Sequence, residues 1–96
     1  SVAQCASTEN YSLFVSNNVV NAYDKTLTGT IPDSLAYAYG GTATISSKEN
    51  ALFCSSSGSV TAYDKYLTRT VPTKLSTGRD YLSGAMAGNY SLFAGG

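Results

Sequence analysis

The chain has 96 residues and a mass of 10.0 kDa, so it forms one small domain or a part of a larger one. Six Lys and Arg balance six Asp and Glu, and charged residues are only 12 % of the chain, which excludes a basic nucleic-acid interface or a polybasic membrane patch. No apolar run reaches the roughly 18–20 residues that span a bilayer, and the absence of histidine removes the commonest metal ligand and proton shuttle. We therefore expect a binding or structural module that is not an enzyme and holds no metal or other cofactor.

Short strands are predicted along the whole chain, because its polar residues are mostly Ser, Thr, Asn and Gly, which favour strands and tight turns over helices. The first four strands are expected within residues 1–32. The next strands are predicted over 41–46, 51–54, 59–64 and 67–71. Pro72 ends the last of these, because proline cannot donate to a β-ladder. Two further strands are predicted over 82–87 and 90–95, so the expected fold class is all-β with about ten strands.

An internal repeat organises these strands. Tyr23-Asp24-Lys25 recurs forty positions later as Tyr63-Asp64-Lys65. Seven further pairs match at the same offset: Val20/Val60, Ala22/Ala62, Leu27/Leu67, Thr28/Thr68, Thr30/Thr70, Pro32/Pro72 and Leu35/Leu75. A Leu-Phe pair also occurs three times: Leu13-Phe14, Leu52-Phe53 and Leu92-Phe93. The repeat divides the chain into a first unit of residues 1–40, a second of 41–80, and the first two strands of a third in 81–96.

The repeat length matches one blade of a β-propeller, which is a four-stranded antiparallel sheet. Residues 75–96 resemble the kelch-type repeat: a Leu, then Arg79, a strand of small residues, and an apolar strand that ends in Gly95-Gly96. Residues 58–70 resemble the Val-x-x-Tyr-Asp strand of that family. The resemblance covers nearly the whole chain. The sequence is also similar to kelch-like repeats of bacterial and phage proteins. It implies β-propeller blades in an incomplete ring, and a location that is extracellular or on a virion surface.

The chain departs from the kelch pattern at several positions. The Gly-Gly doublet is kept only at the end, and the outer-strand Trp of the family is replaced by Thr30 and Thr70. A kelch-type copper oxidase needs histidine ligands, and this chain has none. We therefore expect the fold of the family and no transfer of its enzymatic activity.

A ring of blades is closed only by further blades, since propellers have typically four to eight. We expect the chain to self-associate into a closed propeller or a filament, with Tyr90–Gly96 of one chain pairing with the strand near Val19–Asp24 of the next. Tyr90, Leu92 and Phe93 are the candidate assembly residues. Three chains would contribute six blades and four chains eight. The alternative is an engineered or excised propeller fragment whose role is purely structural.

Asp24 and Asp64 recur beside Tyr23 and Tyr63. Such aspartates could form a ring of carboxylates that binds cations or sugar hydroxyls. They could instead cap the turn that follows each strand, by accepting bonds from main-chain N–H groups. A residue that recurs in every blade generally stabilises the structure of the blade itself, so we assign these four residues a structural role. An enzyme would need a carboxylate-rich funnel in the assembled ring.

Three tyrosines are candidates for ligand binding, because they lie in connecting segments on a rigid scaffold. They are Tyr37, Tyr39 and Tyr66, and we place Arg79 with them. A tyrosine offers a flat apolar face and one hydroxyl, which suits a glycan or a protein surface. The function that this predicts is recognition or assembly on a bacterial or phage surface, with a lectin-like propeller as an alternative. Ordinary packing between blades would also account for these tyrosines.

The two cysteines, Cys5 and Cys54, fall at different places in the repeat. Whether they approach within the ~7 Å that a disulfide requires between Cα atoms is left open by the sequence. We expect two buried free thiols, because free cysteine behaves as a small apolar residue.

Overall fold

A computed structural model describes residues 4–36, 41–75, 82–87 and 90–95, and the surroundings of side chains over 4–36 and 43–75. Every regular element in these ranges is a strand, so the all-β prediction is confirmed. The strands are β1 Gln4–Ser7, β2 Ser12–Ser16, β3 Val19–Tyr23, β4 Gly29–Thr30, β5 Gly41–Ser46, β6 Asn50–Ser55, β7 Val60–Asp64, β8 Arg69–Thr70, β9 Leu82–Ala87 and β10 Tyr90–Gly95. Within the described ranges, no helix is of a length and hydropathy that could cross a membrane.

The strands form three antiparallel sheets in chain order. Sheet A contains β1 to β4, sheet B contains β5 to β8, and sheet C contains β9 and β10. Each strand pairs with its neighbour in sequence, so the connections within a sheet are short hairpins. The sheets follow one another through their first strands, because β1 lies beside β5 and β5 beside β9. Four-stranded antiparallel sheets in this succession are compatible with propeller blades.

Sheets A and B have the same internal register. Leu13 pairs with Ala22 in sheet A, and Leu52 pairs with Ala62 in sheet B. Residues of β2 therefore correspond to residues of β6 at an offset of 39, and residues of β3 correspond to those of β7 at an offset of 40. This fixes which residue of sheet B occupies the position of each residue of sheet A.

The fourth strand of sheet B is shorter than predicted. The expected strand over 67–71 is β8, Arg69–Thr70, because Leu67 still belongs to the turn. Its main-chain N–H donates to the Asp64 carbonyl at 2.9 Å, and its φ of 67° is in the left-handed region, as is that of Leu27 at 65°. A turn residue with that φ cannot continue a strand.

The main apolar core lies between sheets A and B. Sheet A contributes one face, sheet B contributes the opposing face, and Leu35 from the connection between them completes the cluster. The buried members are Ala6, Leu13, Val15, Val20, Ala22, Leu35, Ala51, Phe53 and Tyr63. On the far side of sheet B a smaller cluster contains Ala43, Cys54 and Val60, with Leu52 and Leu75 partly buried against it. Sheet B is therefore covered on both faces, whereas sheet A is packed on one.

Both cysteines are free. The prediction of a buried thiol is right for Cys54, whose pKa is raised by burial. It is wrong for Cys5, which is exposed. Cys5 pairs with Phe14 across the β1–β2 ladder, so both side chains lie on the face of sheet A that points away from sheet B.

Candidate functional site

An exposed aromatic pair marks the uncovered face of sheet A, which we call the aromatic face. Phe14 of β2 is 51 % exposed and Tyr23 of β3 is 41 % exposed. Their ring centroids are 6.2 Å apart with the planes at 71°, an edge-to-face contact. Cys5 lies on the same face. Large apolar side chains grouped on one uncovered sheet face indicate a surface that binds something.

Sheet B has the same aromatic pair at the equivalent positions, but there it is buried. Phe53 and Tyr63 have ring centroids 6.0 Å apart and planes at 80°. Both residues have 0 % exposure, because sheet A packs over them. The two pairs have nearly the same geometry, so the difference between them is the presence of a covering sheet. Sheet A thus exposes the surface that sheet B uses as an interface.

Polar contacts fix the connection between the sheets onto sheet B. The Tyr63 hydroxyl donates to the Asp33 carbonyl at 2.7 Å. The Ala36 main-chain N–H donates to Thr61 Oγ1 at 3.1 Å, and Arg69 Nη1 donates to the carbonyl of residue 34 at 2.8 Å. Burial raises the pKa of Tyr63 to about 12. Residues 31–36 therefore cross sheet B as a strap that is bonded at three points.

Lys65 links the turns of the two sheets. Its Nζ lies 3.2 Å from Glu9 in the β1–β2 turn of sheet A and 3.4 Å from Glu49 in the β5–β6 turn of sheet B. Asn10 Nδ2 donates to the Lys65 carbonyl at 3.0 Å. Hydrogen bonds to Glu9 and Glu49 raise the pKa of Lys65. Such solvent-exposed ion pairs contribute little stability, so we assign them a role in the alignment of the two sheets.

Asp24 and Asp64 bond to the turns that follow them. Asp24 Oδ1 accepts hydrogen bonds from the Thr26 main-chain N–H at 2.9 Å, the Thr26 hydroxyl at 2.7 Å and the Thr28 N–H at 3.0 Å. The Thr26 hydroxyl, followed by the Thr28 N–H, lowers the pKa of Asp24. Asp64 Oδ1 accepts in the same way from the N–H groups of Tyr66 and Thr68 at 2.8 and 2.9 Å. Both aspartates are turn residues in this geometry. Among the described residues no group of three or more metal-ligating side chains occurs.

The predicted ligand-binding residues are brought together only in part. Tyr66 is 73 % exposed, and the Lys65 ammonium lies 5.6 Å from the centroid of its ring. The other three candidates, Tyr37, Tyr39 and Arg79, lie outside the described residues. The predicted assembly residues, Tyr90, Leu92 and Phe93, belong to β10.

The strand predicted to receive Tyr90–Gly96 of a second chain is β3. On one edge it pairs with β2 from Val19 to Tyr23, and on the other edge it pairs with β4 at Ala22 and Tyr23. A strand from another copy could take the place of β2 only if β2 left it.

Sequence reasoning missed Phe14 and the Lys65 contacts. The signal for Phe14 was present, since the Leu-Phe pair recurs and its second copy is buried in the structure. The sequence does not indicate that sheet A covers the aromatic pair of sheet B. It also does not indicate that no other described sheet covers the aromatic pair of sheet A.

No protein-family model matches the chain, and no curated protein matches it.

Proposed function

We propose that the protein is a non-enzymatic β-propeller module that assembles head-to-tail with copies of itself. The observation that carries the proposal is the exposed Phe14–Tyr23 pair, whose counterparts Phe53 and Tyr63 have 0 % exposure in the interface between sheets A and B. A surface that the chain itself buries in one repeat and exposes in the other favours an equivalent partner. Such a partner exists in any second copy of the chain.

The partner surface is the far face of sheet B. Leu52, Val60 and Ala62 stand at the positions that Leu13, Val20 and Ala22 hold in sheet A, which are the residues that sheet A packs onto sheet B. Leu52 and Leu75 are only partly buried there, whereas Leu13 and Leu35 are 0 % and 3 % exposed in the interface between the sheets. The chain thus carries the residues of both halves of one interface on opposite sides, and the half on sheet B is already covered within the chain, with Val60 3 % and Ala62 5 % exposed. A contact of this type is heterologous, and it gives a ring or a filament.

β9 of sheet C lies beside β5 of sheet B, and we place sheet C against the far face of sheet B. Residues 10–14 and 89–93 have the identical sequence NYSLF, so sheet C repeats the beginning of sheet A. Sheet A has four strands and sheet C has two in the described chain. We infer that a whole sheet A from a second copy displaces sheet C, since a four-stranded sheet buries more apolar area. Pairing of β10 with β3 of the second copy, with β2 released, is the competing arrangement.

The number of blades follows from the two complete sheets of each chain. Three copies would supply six blades and four would supply eight, within the usual range of propellers. We place this assembly among kelch-like propellers on a bacterial or phage surface, where it would recognise a ligand or build a structure. The repeat, the blade-like sheets and the weakly charged, hydroxyl-rich sequence support this placement.

Carbohydrate recognition is a second candidate function. Tyr66 favours it, because its ring is 73 % exposed in a turn that Asp64 holds in shape. Exposed aromatic rings stack on sugars through their apolar faces. A glycan array should show binding that the substitution Tyr66→Ala removes and Tyr66→Phe, which retains the aromatic ring, keeps. Absence of binding to every sugar would exclude this function and leave the assembly proposal intact.

Sedimentation equilibrium tests the assembly proposal. We expect a mass that rises with concentration to a multiple of 10.0 kDa. A single species of 10.0 kDa up to millimolar concentration would contradict the proposal. In that case the aromatic face would have to meet something other than this chain.

A further inference from the structure

The hydroxyl of Tyr23 has a counterpart whose partner is known. Tyr63, forty positions later, donates its hydroxyl to the Asp33 carbonyl at 2.7 Å, and this bond ties the strap of residues 31–36 to sheet B. The residue of the second repeat that corresponds to Asp33 is Thr73. We propose that the hydroxyl of Tyr23 donates to the main-chain carbonyl of Thr73 in a second copy, so that residues 71–75 of that copy are the docking strap. This inference rests on the proposed head-to-tail assembly and names the segment that makes the contact.

Residues 71–75 are held in the same position on sheet B as residues 31–35 are on sheet A. The Leu35 main-chain N–H donates to the Asn18 carbonyl at 3.0 Å, and the Leu75 N–H donates to the Gly58 carbonyl at 2.9 Å. Both acceptors lie between the second and third strands of their sheet. Leu75 packs on the far cluster of sheet B, as Leu35 packs in the main core. Residues 71–75, the second strap, therefore occupy the position from which they could cross another sheet, as the first strap crosses sheet B.

Neighbouring residues restrict the ring of Tyr23 in the position that this bond requires. It lies edge-to-face with Phe14 on one side, and on the other side it lies so close to Gly29 that a Cβ there would meet its Cε1 at 3.2 Å. Tyr63 has the same aromatic neighbour in Phe53. A ring that is supported on two sides loses little conformational freedom when its hydroxyl is bound, which favours association.

Two side-chain contacts of the first interface lack an equivalent in the second, whereas the bond from the Ser7 N–H to Ser46 Oγ and the main-chain bond from Glu9 to Lys48 can be repeated. The bond from Arg69 to the strap has no counterpart, because Gly29 holds that position in sheet A. Lys65 contacts Glu9 and Asn10 of sheet A, and the corresponding residues of sheet B are Lys48 and Glu49. In the second interface, Lys25 of the copy that carries Tyr23 would therefore face one charge of each sign on the other copy. The Tyr23 contact needs only a hydroxyl and a main-chain carbonyl, so the sequence differences between the repeats leave it possible.

The substitution Tyr23→Phe tests this bond, and Tyr63→Phe is its matched control. Both remove one oxygen and leave the ring. We expect Tyr23→Phe to raise the dissociation constant about tenfold, as for the loss of one buried hydrogen bond, with an unchanged melting temperature of the dissociated chain. Tyr63→Phe should lower that melting temperature, because it removes a bond inside the chain.

Photo-crosslinking identifies the strap directly. A chain with p-benzoylphenylalanine at position 23 is mixed with isotopically labelled chain, and the crosslinked peptides are sequenced. Crosslinks to residues 71–75 of the labelled chain support the inference. If the chain assembles but the crosslinks lie elsewhere, the inference is overturned and the proposed function stands. The same holds if the Tyr23→Phe variant associates as tightly as the original chain. Absence of any assembly would instead refute the proposed function.

Discussion

Removal of the Phe14 ring should weaken assembly without unfolding the chain. Phe14 is 51 % exposed, so association has about 100 Å² of a roughly 200 Å² side chain left to cover. At ~25 cal/mol per Å², and after allowance for the methyl group that alanine keeps, Phe14→Ala should lose about 2 kcal/mol of association free energy. This corresponds to a dissociation constant about 30-fold higher. Within the chain, the buried half of the side chain contributes about 2 kcal/mol and the contact with Tyr23 about 0.5–1.5 kcal/mol more, so the expected loss of folding stability is about 2.5–3.5 kcal/mol.

Sedimentation equilibrium measures the dissociation constant, and urea unfolding of the dissociated chain measures the stability. Phe53→Ala is the matched control for burial, because its ring is fully covered within the chain and its loss should cost about 3–5 kcal/mol of folding stability. Phe93→Ala is the control for strand exchange. If Phe14→Ala associates as tightly as the original chain, the aromatic face is not the interface. If only Phe93→Ala weakens association, β10 has replaced β2 and sheet A does not dock whole.

Three further predictions concern the fold. The chain should lose stability between about pH 10 and pH 12. Folding raises the pKa of Tyr63 from 10.0 to about 12, so the unfolded chain loses the phenol proton first. Unfolding experiments on Tyr63→Phe across that range should not show this loss of stability. A thiol reagent should modify Cys5 in the native protein and Cys54 only on unfolding, since only Cys5 is exposed; equal rates would refute the described packing. Asp64→Ala should destabilise the chain by about 1–2 kcal/mol through the loss of two hydrogen bonds to the turn, whereas Asp64→Asn, which keeps an acceptor oxygen, should lose less.

Much of the fold was predictable because the repeat supplied its own alignment. The forty-residue offset from Tyr23 to Tyr63 placed equivalent strands in two sheets, and the strands over 41–46, 82–87 and 90–95 have the predicted bounds. The fourth strand was predicted too long because the apolar Leu67 looks like a strand residue. Its left-handed φ depends on the turn that Asp64 closes, which a pattern of apolar residues does not encode.

The candidate site was less predictable, because exposure depends on how sheets stack. Phe14 and Phe53 occupy equivalent sequence positions, and only the order of the sheets makes one exposed and the other buried. The same reason explains Cys5, which shares the open face with Phe14. The ion-pair partners of Lys65 are Glu9 and Glu49, which lie in two other turns and far from it in sequence, so no local pattern indicates them.

A mixing experiment tests most directly whether the chain carries two complementary halves of one interface. One variant, Phe14→Asp, blocks the aromatic face, and another, Leu75→Asp, blocks the far face of sheet B. Each variant alone should remain at 10.0 kDa, and an equal mixture should form a dimer with one copy of each variant and nothing larger. Variants that still associate with themselves, or a mixture that stays monomeric, would show that these two faces do not bind each other.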